Sequence, residues 1–138
     1  MHTTDILIVE DSPADIGLIE ESLAMLRPRF RIRAVPNAPT ALRFLYRLPP
    51  YEAASTPQLI IIDLNMPLGD GFQLLEALRA NERTAAIRCV IFSSSNRQCD
   101  QDRAIALGAV GFFHKPLLYE DFCDCVLRMV QQSLNAEE

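Results

Sequence analysis

The chain has 138 residues, 49% of them hydrophobic and 22% charged, which is room for one domain with a real core. Eighteen acidic residues against thirteen basic ones leave a net charge of −5, which argues against a sequence-independent nucleic-acid binder. Nothing approaches the ~18–20 consecutive apolar residues of a membrane span, and the N-terminus lacks the basic region of a secretory signal, so the expected location is cytoplasmic.

Apolar runs alternate with amphipathic stretches, the mark of βα units around a parallel sheet. The first strand is expected at about 5–9 and the first helix at about 13–26, with Ser12 as N-cap, Pro13 in the first turn and Ile16, Ile19, Leu23 and Leu26 at helical spacing. A second strand at about 31–35 precedes a helix at about 38–47 carrying Leu42, Leu45 and Tyr46. The arginines at 27, 29, 31 and 33 alternate near this strand and read as a solvated face. Residues 48–57 contain three prolines and form a loop. A third strand at about 58–63 is apolar throughout, as a central parallel strand covered on both faces should be. The third helix, about 71–80, follows the turn Pro67-Leu68-Gly69-Asp70-Gly71. The fourth strand and helix fall at about 88–93 and 97–107, with Ser95 or Asn96 as N-cap and Gly108 ending the helix. A fifth strand at about 110–114 and a helix at about 118–134 complete one domain spanning 1–138, with its core at about 4–131 and a frayed tail from Asn135. Cys89, Cys99, Cys123 and Cys125 lack zinc-ligand spacing and read as free, reduced thiols.

Each of four strands delivers a reactive side chain at its carboxyl end. Glu10 and Asp11 follow Ile6-Leu7-Ile8-Val9, Asp63 follows Leu59-Ile60-Ile61-Ile62, Ser93 follows Val90-Ile91-Phe92, and Lys115 follows the fifth strand. Lys115 is the only lysine, every other basic side chain being arginine. In open α/β sheets ligands gather at this rim. Three converging carboxylates repel one another unless neutralised, which a hard divalent cation such as Mg²⁺ achieves. The backbone carbonyl of Asn65 offers a further oxygen. Asp63 is the natural nucleophile for a phosphoryl group. The Lys115 ammonium and the Ser93 hydroxyl are donors placed to meet the charge such a group adds. Inward movement of Ser93 opens space that Phe112 is placed to fill, which alters the surface of helix four, strand five and helix five.

Taken together, Val9-Glu10-Asp11-Ser12, Asp63-Leu64-Asn65-Met66-Pro67, Gly69-Asp70-Gly71, Ser93-Ser94-Ser95 and Lys115-Pro116 resemble the receiver domain of two-component response regulators. The resemblance implies a flavodoxin-like three-layer α/β sandwich with five parallel strands in the order 2-1-3-4-5 and five helices. It implies that Asp63 takes phosphate from the phosphohistidine of a sensor histidine kinase, with Mg²⁺ (or Mn²⁺) held by Glu10, Asp11, Asp63 and the Asn65 carbonyl. Lys115 then binds the phosphoryl group across a cis Lys115–Pro116 bond, Ser93 and Phe112 act as the switch, and Asn65 and Ser95 tune hydrolysis. The chain departs from the family's commonest pattern in having Glu10 for the usual first Asp, Phe112 where many members carry tyrosine, and a longer loop at 48–57. These details resemble the small single-domain regulators paired with phytochrome-type kinases.

With the receiver filling the chain, no output domain is expected, and output falls to a partner, a phosphorelay or self-association. Ile105, Phe112 and Leu118 suggest a homodimer through the helix four, strand five and helix five face. Two other functions compete. An aspartate-nucleophile phosphohydrolase needs a second acid two residues after the nucleophile, where Asn65 stands. A flavodoxin-like cofactor module needs a Gly-, Ser- or Thr-rich loop after the first strand, where Glu10 and Asp11 would repel a phosphate.

Overall fold

The computed structural model describes residues 3–24 and 30–135. Five strands, β1 (Thr4–Val9), β2 (Phe30–Val35), β3 (Leu59–Ile62), β4 (Arg88–Ser93) and β5 (Gly111–His114), form one parallel sheet in the order β2-β1-β3-β4-β5. The helices are α1 (Pro13–Leu23), α2 (Ala38–Leu45), α3 (Gly71–Arg79), α4 (Gln98–Ala106) and α5 (Tyr119–Asn135). Strand pleating splits the core into two layers. Leu7, Val9, Ile60, Ile62, Cys89 and Ile91 face α2, α3 and α4. Ile6, Ile8, Leu59, Ile61, Val90 and Phe92 face α1 and α5. Strand β3 is buried at every position, as its unbroken apolar run requires. No helix among the described residues is long and apolar enough to cross a membrane.

Local chemistry sets the helix starts. Ser12 caps α1 by accepting a hydrogen bond from the Asp15 N–H at 3.2 Å, ahead of Pro13. Asn37 does the same for α2, accepting from Thr40 N–H at 2.8 Å. Helix α3 opens on a closed capping box between Asp70 and Gln73. Helix α4 departs from expectation, because its N-cap is Arg97, which makes no side-chain cap. The Ser95 hydroxyl is committed just upstream, donating to Asp100 Oδ2 at 2.6 Å and accepting from the Arg97 N–H at 3.3 Å, so the helix begins after it. Gly108 ends α4 in the left-handed region (φ +95°), as its position suggested.

Of the expected helix-one positions, Ile19 and Leu23 are buried and Ile16 is half-buried, while Leu26 lies outside the described residues, as do Arg27 and Arg29. Arg31 and Arg33 are solvent-facing: Arg31 pairs with Asp5 at 2.5 Å, and Arg33 stacks over the Phe44 ring at 5.4 Å. The loop at 48–57 is tied to the body by Tyr51 against Phe44, with ring centroids 5.3 Å apart, and by Arg47, whose guanidinium donates to Ala54 O and Thr56 Oγ1. Cys89 and Cys125 are buried, Cys99 is exposed, and all four thiols are free. Lys115–Pro116 is trans, against the expectation of a cis bond; the cis bond among the described residues is Pro49–Pro50. Residues 117 and 118 after it are 100% and 69% exposed. Little packing there can offset the ~0.5–1 kcal/mol by which X–Pro bonds favour trans.

Candidate functional site

Strand register carries the rim residues to one place. Val9 is paired with both Val35 and Ile62, so Glu10 and Asp63 lie one step past the paired ends of β1 and β3. The ladder continues into them: Glu10 N–H donates to Val35 O at 3.0 Å and Asp63 N–H to Val9 O at 3.1 Å. Ser93 pairs with His114, and the Lys115 N–H donates to Ser93 O at 2.7 Å. These groups are therefore fixed by the sheet and not by mobile loops.

Gly71 brings α3 up against this rim. A Cβ on it would stand 2.8 Å from the backbone oxygen of Asp63 and 3.1 Å from Leu64 Cα, closer than side-chain carbons come. Its N–H donates to Leu64 O at 3.1 Å, closing the turn that follows Asp63.

Glu10, Asp11 and Asp63 each present an oxygen within 4.8 Å of the others. Glu10 and Asp63 are only 3% and 7% exposed. The ammonium of Lys115 lies 2.5 Å from Glu10 Oε1, 2.8 Å from Asp15 Oδ2 and 3.7 Å from Asp63 Oδ2, and sits 5.8 Å from the Phe92 ring centre. Burial pushes the Glu10 carboxyl above its usual range, only partly opposed by its hydrogen bond to Lys115. Burial likewise raises Asp63, against the lowering effect of the Lys115 charge. Burial alone would lower the Lys115 ammonium, but its hydrogen bonds to Asp15 and Glu10 and the charge of Asp63 outweigh this, and its pKa is raised.

Three carboxylates, those of Glu10, Asp15 and Asp63, thus lie within 3.7 Å of one ammonium, with Asp11 exposed at the edge of the recess. Glu10, Asp11 and Asp63 converge with hard oxygen donors on a space suited to a divalent cation, which fits Mg²⁺ or Mn²⁺.

The remaining predicted residues are placed as follows. Ser93 is fully buried, and its hydroxyl oxygen accepts from the Ser95 N–H at 3.2 Å. Asn65 is exposed, with its N–H 3.4 Å from Asp63 Oδ1. Ser95 bonds to Ser93, Arg97 and Asp100 and so belongs to the approach to α4, not to the carboxylate cluster. Phe112 is half-buried against the α2–α3–α4 layer, opposite Ile91. His114 is an exposed strand side chain whose Nε2 lies 3.0 Å from Ser94 O.

Sequence reasoning missed Asp15. The available signal was its place: it is the acid in the first turn of a helix that starts at the rim.

Comparison with known proteins agrees with this geometry. Residues 6–127 match the response regulator receiver domain. The chain is 33% identical to the probable methanogenesis regulatory protein FilR2 of Methanothrix harundinacea over 116 residues, 84% of this chain and 74% of that protein. It is 33% identical to the response regulator Rcp1 of Synechocystis sp. over 95 residues, 69% of this chain and 65% of Rcp1. Among solved structures, the phosphorylated cyanobacterial phytochrome response regulator RcpA superposes with a TM-score of 0.92 at 27% identity, covering 99% of this chain and 98% of RcpA. The Mn²⁺-bound form of Rcp1 gives 0.89 at 27% identity, covering 98% and 97%.

Proposed function

The chain belongs to the response regulator receiver family of two-component signalling, and we propose that Asp63 is its phosphoacceptor, charged by the phosphohistidine of a sensor histidine kinase of the phytochrome type. The carrying observation is the setting of Asp63: a buried carboxylate at a strand end, with the Lys115 ammonium 3.7 Å away and oxygens of Glu10 and Asp11 within 4.8 Å. The likeness to Rcp1 and RcpA supports the kinase class.

In the transfer, a carboxylate oxygen of Asp63 attacks phosphorus and forms a P–O bond. The P–N bond breaks, and its electron pair stays on the imidazole nitrogen, which takes a proton from solvent. A divalent cation held by Glu10, Asp11, Asp63 and the Asn65 carbonyl supplies, when bound, positive charge beside the transferred group. Lys115 meets the phosphoryl oxygens as a compact cation. Ser93, its hydroxyl already at the head of the β4–α4 segment, turns toward the new charge. That movement releases space to Phe112 and passes the state to the face formed by α4, β5 and α5. Asn65, in the turn after Asp63, and Ser95, at the approach to α4, set the lifetime of the phosphate.

Turnover is confined to the protein's own phosphorylation and slow autodephosphorylation, and the receiver occupies the chain as one domain. The exposed side chains Ile105 and Leu118, 53% and 69% accessible, support a homodimer through the α4–β5–α5 face. The acidic balance supports a protein partner and not nucleic acid, and membership of the receiver family supports the cytoplasm as its location. Incubation with acetyl phosphate and Mg²⁺ is expected to add one acid- and base-labile phosphate by intact mass, and Asp63→Asn to abolish it. Undiminished labelling of that variant would remove Asp63 from the role.

A further inference from the structure

Asp15 is the third residue of α1, after the N-cap Ser12. An acid at this place ordinarily serves its own helix, its carboxylate reaching back to the N-cap N–H to close a capping box. Helix α3 shows the closed form: Gln73 Oε1 accepts from Asp70 N–H at 3.1 Å while Asp70 Oδ1 accepts from Gln73 N–H at 2.9 Å. At α1 only half the box is made. The Asp15 N–H donates to Ser12 Oγ, but the Ser12 N–H donates to Glu10 Oε2 at 3.1 Å. Released from capping, the Asp15 carboxylate crosses to Lys115, one hundred residues away in sequence, and accepts from its Nζ at 2.8 Å. Its side chain is 28% exposed, and it lies outside the cluster of Glu10, Asp11 and Asp63.

Lys115 in this state has bonds at 2.5 and 2.8 Å to Glu10 and Asp15, and stands beyond hydrogen-bond reach of Asp63. We propose that Asp15 is a positioning residue acting through Lys115: it holds the ammonium in the resting state and thereby sets how readily the site accepts a phosphoryl group on Asp63. The inference rests on the reading of Asp63 as acceptor. A phosphoryl group brings about −1.5 to −2 charges in place of one. To meet it, Lys115 turns from Asp15, and the carboxylate left behind repels the newcomer. Removing the Asp15 charge frees the ammonium and lifts that repulsion, so it favours the phosphorylated state. For the divalent cation alone the sign is opposite, because one source of negative potential near Glu10, Asp11 and Asp63 is lost.

The test uses the full chain, with beryllium fluoride as phosphoryl mimic under saturating Mg²⁺, followed by calorimetry. Asp15→Asn keeps size and an acceptor oxygen but not the charge, and is expected to bind the mimic about three- to fivefold more tightly, the range a partly exposed ion pair supports. Its affinity for Mg²⁺ alone is expected to be equal or weaker. Asp15→Glu, which keeps the charge, is expected to stay close to the parent chain. Tighter binding cannot come from a folding defect, so the sign itself separates a specific role from a structural one. Equal or weaker binding of the mimic by Asp15→Asn overturns the inference, as does equal tightening by Asp15→Glu. A parent chain that binds no beryllium fluoride at all instead overturns the acceptor reading beneath it.

Discussion

Replacing Lys115 with methionine tests what the buried carboxylates require of their one cation. The substitution keeps a flexible apolar stem beside Phe92 and deletes the ammonium, which stands within 3.7 Å of Glu10, Asp15 and Asp63. Breaking a buried pair by removing one partner costs about 3–5 kcal/mol. Because Asp15 is 28% exposed and can turn to water, the expected loss without metal near neutral pH is about 2–4 kcal/mol. At about 3 °C per kcal/mol this lowers Tm by roughly 6–12 °C.

The loss has a signature. Glu10 and Asp63 already have raised pKa values in the folded state, so the stability linked to their protonation is full below their unfolded pKa values and is lost as pH rises through the folded ones. Without Lys115 both rise further, so the variant's deficit is small near about pH 4.5 and grows toward about pH 7.5. Mg²⁺ is expected to shrink the deficit at neutral pH by supplying the missing charge. Thermal melts of parent and variant at both pH values, in chelator and in Mg²⁺, measure all four corners. A deficit of the same size in every condition would mean that Lys115 contributes through its stem's packing and not through its charge.

Two further outcomes are expected. Gly71→Ala places a carbon 2.8 Å from the Asp63 backbone oxygen; overpacking of about 1–3 kcal/mol outweighs a helix-propensity gain of up to ~1 kcal/mol, so the urea midpoint falls, and an unchanged or raised midpoint would refute the close approach. Cys89, fully buried with its thiol pushed up to about 11 by burial, keeps its proton where the unfolded thiol loses it. Stability linked to this thiol is therefore full below about pH 9 and declines as pH rises from about 9 to about 11, by on the order of 2–3 kcal/mol. Cys89→Ala should flatten that part of the pH–stability curve, and an equally steep decline in the variant would show that other groups cause it.

The rim was legible in the sequence because each of its members follows an apolar strand, and strand ends in parallel sheets share one edge. Asp63 and Lys115 needed no more than that rule to be brought together across 52 positions of chain. Asp15 escaped it because an acid in the first turn of a helix already has an ordinary explanation in capping; only coordinates show its carboxylate leaving that task. The N-cap of α4 was misassigned for a related reason. Ser95 has the chemistry of a cap, but its hydroxyl is spent on the Asp100 side chain and on the Arg97 N–H, one residue short of the helix. The isomer of Lys115–Pro116 was inferred from kinship; the exposure of Leu117 and Leu118, which sequence does not reveal, leaves little packing to hold a cis bond there.

The scarcity of lysine has a practical consequence. Lys115 is 11% exposed, and the twelve other basic side chains are arginines. Protein grown with isotope-enriched lysine would therefore carry a single labelled side chain, and its methylene and ammonium resonances would come from the recess alone. Loading with cation, arrival of phosphate and its later hydrolysis could then be followed in solution as movements of one spectral line, with no dye, tag or substitution introduced.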